Sequence, residues 1–336
     1  MRKSPLKRIA FLFIIPITLF IGYNIYVSRV DRGPIPTVRA VVISTYSGLN
    51  AYDCYKAVSY RRELPGKLFF RKIIGYSDSH TALVGLTSMD GLIVNRHGRS
   101  TVVDTGNLPS ILSILSNDTI YIPKPEGGRI DLFKFNLNGK RNGNILLDID
   151  NVTLILYDYW RMPLVVSQNG LITAALQNLK TPAEGSHIYL FESDGRLKAH
   201  LGLGRWPRFG GNGRYLAYME RELNQDKSAA YDTGHVIIVD LKTNTKRSIH
   251  TARPGCFTSC YSRLRDYQMS PDGKSIICSY TNGYPFETAQ DWLYLVDLSN
   301  DVPKWHKLPI CALSGWIVIN KVPDLFIRDT KNSRQQ

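Results

Sequence analysis

The chain has 336 residues, of which 43% are hydrophobic and 21% are charged, and its formal net charge is +14. This composition suits a large buried core and excludes a protein that is disordered over most of its length. The excess of Lys and Arg favours anionic partners such as lipid headgroups, acidic glycans or nucleic acid, although scattered positive charge also serves simply to keep a domain soluble.

The N-terminus combines a basic tail, residues 1–8, with an uncharged apolar segment, residues 9–27. As a helix, this segment nearly spans a hydrocarbon core of about 30 Å, so it predicts a single transmembrane helix. A cleaved signal peptide has a shorter apolar region and small residues at its cleavage site, and the bulky end of this segment favours an uncleaved anchor over cleavage. The basic tail predicts a cytoplasmic N-terminus and an exported domain, with a bacterial periplasm as the expected compartment.

After this anchor, residues 28–36 are interpreted as a linker, 37–328 as one β-sheet domain and 329–336 as a C-terminal tail. Turn signals alternate with apolar runs of strand length throughout the domain. In SPDGKSIICSY, residues 270–280, Asp272 and Gly273 predict a tight turn, because Asp bonds nearby backbone N–H groups and Gly adopts positive φ. The apolar run that follows predicts a strand.

The same order of turn and strand recurs along the domain. The turn glycines at 170, 213 and 273 are 43 and 60 residues apart. An irregular spacing of about fifty residues is typical of four-stranded propeller blades with loop insertions, whereas solenoids have stricter and shorter periods. A β-sandwich also has short strands and turns, but a single sandwich of about 100 residues does not contain this many copies of one pattern.

Two copies, residues 205–250 and 265–300, resemble the TolB-type, WD-like propeller repeat, with an SPDGK-type turn, an apolar strand and an LVDL or IVDL strand. The resemblance implies an all-β propeller and indicates no activity, because this architecture carries many unrelated functions. The sequence predicts six blades, although seven are also compatible with it, and the strand-like residues 315–327 are expected to complete the first blade. The predicted blades are 36–76, 77–107, 108–150, 151–203, 204–253 and 254–310.

The five cysteines are compatible with export. Cys256 and Cys260 are close enough in sequence to bridge a loop, whereas Cys278 lies in an apolar strand pattern and is expected to be a buried free thiol. No other Cys or His stands close to the Cys256–Cys260 pair, so we predict no metal site there. The sequence identifies no cofactor.

The candidate binding residues are aromatic and Arg side chains in two segments that are partly loops. Their flat rings and guanidinium group are suited to stacking on sugars or clamping a peptide, and the alternative is that the aromatic rings pack between blades. These residues are Tyr157, Tyr159, Trp160, Arg161, Tyr284 and Phe286.

Two histidines, His187 and His235, begin predicted strands at equivalent places in neighbouring repeats. The oligogalacturonate lyases, which share this repeat type, suggest by resemblance a metal ring at the channel. Polar residues at strand starts are the simpler interpretation, so we predict no metal ligands.

Two classes of function remain. We expect a noncatalytic, membrane-anchored module that binds a protein or a polysaccharide, and we do not expect nucleic-acid binding because the domain is predicted to be exported. The alternative is an exported carbohydrate-active enzyme, a lyase or hydrolase, with site residues from several blades at the mouth of the channel. Converging acidic residues and histidines would favour the enzyme, and a face of aromatic rings and Arg would favour the binding module.

Overall fold

The computed structural model of the protein describes residues 40–326 apart from residues 46–48, 63–69, 78–81, 88, 90, 97–98, 156–161, 227–228, 252–263, 282–290, 300–302, 313 and 324–325. The described part consists of β-strands, turns and short 3-10 helices. The predicted transmembrane segment, residues 9–27, lies outside it. Within the described part, none of the helices has the length and apolar character needed to cross a membrane.

The strands are short, antiparallel and joined mostly by tight connections. In the part of the chain that the structure describes, they are β1 (Val41–Thr45), β2 (Leu49–Asp53), β3 (Val58–Arg62), β4 (Phe70–Tyr76), β5 (Ala82–Thr87), β6 (Leu92–Arg96), β7 (Arg99–Val102), β8 (Ile114–Ser116), β9 (Thr119–Glu126), β10 (Arg129–Asn136), β11 (Arg141–Leu146), β12 (Val152–Leu154), β13 (Leu164–Val166), β14 (Ile172–Asn178), β15 (Ser186–Phe191), β16 (Leu197–Gly210), β17 (Tyr215–Leu223), β18 (Ala230–Asp240), β19 (Thr245–His250), β20 (Leu264–Met269), β21 (Ser275–Thr281), β22 (Asp291–Asp297), β23 (Lys304–Ala312) and β24 (Ser314–Ile319).

Four sheets contain four strands each, in the orders β24-β1-β2-β3, β4-β5-β6-β7, β11-β10-β9-β8 and β20-β21-β22-β23. The prediction that the C-terminal strand completes the first sheet is confirmed, since β24 pairs with β1 and Val318 lies opposite Val42. The predicted boundary at residue 76 is wrong, because β4 belongs to the second sheet. The first sheet takes its fourth strand from β24, which pairs with β1, whereas β4 pairs with β5.

The fifth sheet has eight strands, seven of them on the path from β12 through β14 to β19 and the eighth, β13, paired to β14. Its long strand β16 pairs with β15 through its first half and with β17 through its second half. The partner changes between Leu203 and Gly204, and a bulge between Arg205 and Arg208 lies within the second half, where Trp206 has a φ of 55°. The structure has four separate four-stranded sheets and one eight-stranded sheet, whereas the sequence predicted six blades. The difference arises because β16 joins the predicted blades 151–203 and 204–253.

The sheets are arranged like the blades of a propeller. Their inner strands contact one another in the closed order β24, β4, β8, β13, β16, β20 and back to β24. Hydrophobic clusters fill the spaces between neighbouring sheets, and one of them joins Val42 of the first sheet to Ile277 and Leu295 of the last. Each sheet therefore buries its apolar faces only against its neighbours, which is why the chain closes into a ring.

The predicted turn at residues 270–275 is confirmed, and its hydrogen bonds are local. The Ser270 hydroxyl donates to Asp272 Oδ1 (2.6 Å), and the same oxygen accepts the Lys274 N–H (3.0 Å). The Ser275 N–H donates to Ser270 Oγ (3.0 Å), and Gly273 has a φ of 72°. This geometry explains why the SPDG sequence starts strand β21.

Two of the cysteines are buried free thiols, Cys54 and Cys278, as predicted for Cys278. Burial raises the pKa of each thiol to about 12. Both therefore stay protonated at neutral pH and behave as small apolar side chains. Cys256 and Cys260, which are close enough in sequence to bridge a loop, lie outside the described residues.

Candidate functional site

The inner strands surround a central channel that contains two cavities, of about 230 Å³ and about 250 Å³. Along each inner strand, the residues that line the first cavity precede those that line the second. The six strands therefore run in the same direction through the channel. We call the first cavity the basic mouth and the second cavity the neutral mouth.

A constriction, which we call the collar, separates the two mouths. Each inner strand contributes one residue to both cavities, and five of the six side chains are apolar. The collar residues are Ile74, Leu115, Val166, Phe209, Gln268 and Ile317. The polar member, Gln268, donates to the Trp316 carbonyl and accepts the Val318 N–H (3.3 Å), so it ties strand β20 to β24 where the ring closes.

The basic mouth is organised by a buried ion pair between neighbouring inner strands. Arg208 Nη2 of β16 donates to Asp266 Oδ1 of β20 (2.9 Å), and both side chains are nearly buried. The remaining Arg208 donors reach the carbonyls of Tyr267 (3.1 Å), Pro207 (2.9 Å) and Met162 (3.3 Å). Because its donors are bonded to fixed backbone oxygens, the guanidinium group is held rigidly at the channel wall.

The aromatic ring of Tyr267 lies beside this ion pair. Its hydroxyl donates to the Trp206 carbonyl (2.5 Å), and the Arg208 guanidinium carbon lies 5.9 Å from the ring centre. Complete burial raises the pKa of Tyr267, so the hydroxyl remains a neutral donor. The hydrogen bond from the Tyr267 hydroxyl joins the bulge of β16 at Trp206 to strand β20.

Two further cations line the basic mouth, Lys72 from β4 and Arg265 from β20. Lys72 is only 6% exposed, and its Nζ lies 3.5 Å from both the Ile111 carbonyl and the Met162 sulfur. The fully buried Ser113 also lines this cavity, and its hydroxyl has no hydrogen-bond partner among the described residues. Charged donors that are shielded from water bind an anion more strongly than exposed ones do.

The neutral mouth has a different chemistry. Among the described residues that line it, there is no Asp, Glu, Lys, Arg or His, and the polar side chains are hydroxyl and amide groups. These groups bond to the backbone of the ring itself: Ser116 Oγ donates to the Ser167 carbonyl (3.0 Å), and Ser77 Oγ accepts the Ala82 N–H (2.9 Å). This end of the channel is suited to neutral ligand groups.

The six predicted binding residues stay a prediction. The aromatic residues and Arg161 of segment 157–161, and likewise Tyr284 and Phe286, lie outside the described residues. His187 and His235 do not line either cavity, because they lie on the outer strands β15 and β18. Resemblance to the lyases had suggested a metal ring at the channel, and these two histidines are not placed to form one.

Sequence reasoning missed Lys72, Ser113, Arg208 and Asp266. Lys72 ends the basic and aromatic segment 60–72, and Arg208 lies in the repeat segment RWPRF, but both were ordinary strand residues in the pattern. The signal that identifies these residues is their position along the inner strands. Lys72 lines the channel whereas its neighbour Arg71 on the same inner strand does not, so the position is known only once the inner strands and the side chains that face the channel are assigned.

Comparison with known proteins shows similarity in structure alone. No protein-family model matches the chain, and neither does any curated protein. TolB from Acinetobacter baumannii superposes with a TM-score of 0.51 and 12% identity over 82% of this chain and 66% of TolB. The chain thus spans slightly less than two thirds of TolB.

Other solved structures give lower scores. BamB from Moraxella catarrhalis has a TM-score of 0.39 at 13% identity, over 79% of this chain and 87% of BamB. The GH74 xyloglucanase from Xanthomonas campestris has a TM-score of 0.41 at 12% identity, over 71% of this chain and 45% of the enzyme. At 12% identity, the likeness to TolB shows the fold alone and leaves the activity open.

Proposed function

We propose that this chain, a β-propeller of the TolB type, is a noncatalytic binding module that holds an anionic group of a protein or polysaccharide partner at the basic mouth. The observation that carries the proposal is the charge of this mouth. Lys72, Arg208 and Arg265 line it together with a single carboxylate, Asp266, which already accepts a hydrogen bond from Arg208.

The lining chemistry favours binding over glycoside hydrolysis. Glycosidases of the common type use two carboxyl groups on either side of the scissile bond. Asp266 is the one carboxylate among the described residues that line the two cavities, and its Oδ1 accepts both Arg208 Nη2 and the Tyr267 N–H (2.8 Å). A carboxylate engaged in this way supports the wall of the mouth and is poorly placed to attack a sugar.

We also propose that the ring has six blades, the eight-stranded sheet being two blades joined through β16. A hydrophobic cluster supports this division, because Ala175 and Ile188 from one half pack with Leu216 and Val239 from the other. Clusters of the same kind fill the spaces between the separate sheets. A crystal structure in which these halves lie in one continuous sheet without an apolar interface would refute the count.

The domain is further proposed to be exported and tethered by residues 9–27. The support is the uncharged segment that follows a basic tail. Alkaline phosphatase fused after residue 336 should be active in bacterial cells, because this enzyme requires an oxidising compartment. An inactive fusion that is present at normal abundance would place the domain in the cytoplasm.

The test of binding uses the full chain in detergent micelles and two anionic probes, hexaglutamate and a uronic-acid hexasaccharide. Titration calorimetry should detect one of them, with affinity that falls as salt is raised. The variant Arg265→Gln should weaken binding about tenfold, since a lost charged hydrogen bond of about 1.4 kcal/mol corresponds to that factor.

The matched control is Arg129→Gln, which removes an Arg from an exposed pair with Asp150 away from the channel. It should leave the affinity unchanged. The proposal fails if neither probe binds, if both variants weaken binding equally, or if the hexasaccharide is cleaved by wild type and not by Arg265→Gln.

A further inference from the structure

Two histidines face each other on the outer strands of the propeller. His187 Nδ1 on β15 lies 3.0 Å from His200 Nε2 on β16, and the ring centres are 5.0 Å apart. The His187 side chain is 16% exposed and His200 is exposed, so both rings are accessible from solvent. The pair is separate from the channel, because neither residue lines a mouth.

Without a metal this contact is a hydrogen bond between the two rings, and a metal ion that replaces the shared proton fits the same spacing. Imidazole nitrogens bind divalent transition metals at about 2.0–2.1 Å, and two such ligands at a right angle are about 3.0 Å apart. A right angle between ligands is typical of the square-planar or tetragonal coordination of Cu²⁺ and Ni²⁺. A tetrahedral site would separate the nitrogens by about 3.3 Å, so the observed distance favours the former ions over Zn²⁺.

Neighbouring groups hold both rings in place. Glu184 Oε2 lies 3.4 Å from His187 Nε2, the nitrogen that points away from His200. A carboxylate on the far nitrogen fixes the orientation of a metal-binding histidine and raises its basicity. On the other side, the Tyr189 ring stacks on His200 at 4.7 Å with an interplanar angle of 19°.

We propose that His187 and His200 chelate a divalent copper or nickel ion, with Glu184 as a positioning residue and water in the remaining coordination positions. In the described part of the chain, no group of three or more His, Cys, Asp or Glu residues is arranged to hold a metal. The site is therefore a two-imidazole chelate that leaves positions open for a further ligand.

A second histidine pair provides the matched control. His235 and His250 lie directly opposite each other on β18 and β19, with ring centres also 5.0 Å apart. Their rings meet edge to face at 66°, and His235 Nδ1 lies 3.7 Å from Glu220 Oε2. This pair therefore matches His187 and His200 in ring separation and differs from them in ring orientation, since the planes of His187 and His200 are inclined by 41°.

The test titrates Ni²⁺ into the full chain in detergent micelles and records the binding by calorimetry. His187→Gln and His200→Gln should each weaken the tightest site at least tenfold, and Glu184→Gln should weaken it about tenfold, in the range known for carboxylates behind metal ligands. His235→Gln and His250→Gln should change it by less than twofold. The unfolding midpoint without metal identifies any variant that fails to fold.

Cu²⁺ electron paramagnetic resonance of the wild-type chain gives a readout that needs no variant. At one equivalent of Cu²⁺, the hyperfine pattern should show two imidazole nitrogens bound to one ion. The proposal is overturned if wild type shows fewer than two nitrogens, if Ni²⁺ does not bind, or if the control variants lose as much affinity as His187→Gln and His200→Gln.

Discussion

The two mouths of the channel are built from the same inner strands and have similar volumes, yet they differ in charge. Lys72, Arg208, Arg265 and Asp266 line the first, whereas the described lining of the second contains no ionisable Asp, Glu, Lys, Arg or His. Volume therefore does not distinguish the mouths. The position along each strand at which a charged residue occurs decides which end of the channel carries the positive charge.

The mouths also differ in what holds them together. The basic mouth depends on one ion pair between β16 and β20, whereas the neutral mouth depends on close backbone turns and on hydroxyl groups bonded to carbonyls. Removing one partner of a buried ion pair costs more than removing a neutral hydrogen bond. The basic mouth should therefore be the more fragile end.

The largest effect is expected from Arg208→Met, which leaves Asp266 charged and buried. We expect a loss of about 3–5 kcal/mol in the free energy of unfolding, measured by urea denaturation of the full chain in detergent. The double variant Arg208→Met with Asp266→Leu should recover much of this loss, because no uncompensated charge remains. Arg129→Met, which breaks the exposed pair with Asp150, should have a much smaller effect. Equal losses in the two Arg variants would remove the distinction between the mouths.

At the neutral mouth, Gly213→Ala should cost about 2–3 kcal/mol, because Gly213 has a φ of 88° and an added Cβ would lie 2.3 Å from Asn169 Oδ1. Gly106→Ala is the control for backbone strain alone, since its φ is 56° and it faces open space. Thermal unfolding should rank Gly213→Ala below Gly106→Ala. A reversed order would show that the close approach at this mouth carries no cost.

At the collar, Gln268→Leu should lower stability by about 1–2 kcal/mol, because the Trp316 carbonyl and the Val318 N–H lose their hydrogen-bond partner where the ring closes. The matched control is Gln177→Leu, whose amide donates to the Pro182 carbonyl at an exposed position. Urea denaturation should separate the two variants. An unchanged midpoint for Gln268→Leu would indicate that apolar packing alone closes the ring.

The smallest effect is expected from Ser116→Ala, which removes one hydrogen bond between the inner strands β8 and β13. A loss of about 1 kcal/mol is expected in urea denaturation. Ser193→Ala, at an exposed turn, should leave stability within about 0.5 kcal/mol of wild type. If Ser116→Ala were as costly as Arg208→Met, the neutral mouth would be no more robust than the basic one.

Local signals were sufficient to predict the turns and strands. The Ser270 and Asp272 side chains bond to the backbone within five residues, so their sequence alone indicates the turn before β21. The apolar runs indicate strands for the same reason, since each is read from its own residues. Residues 9–27 remain a predicted anchor, and segment 157–161 with Tyr284 and Phe286 remains a predicted binding surface.

The sequence by itself determined that the chain forms repeated β units too small to be stable alone, and that its last strand returns to the first. The tertiary structure decided which residues share the channel, because Lys72, Arg208 and Asp266 lie on three different strands and meet only when the ring closes. It also decided that β16 serves two groups of strands, since the change of partner between Leu203 and Gly204 depends on how the neighbouring strands pack, which no repeat spacing reveals.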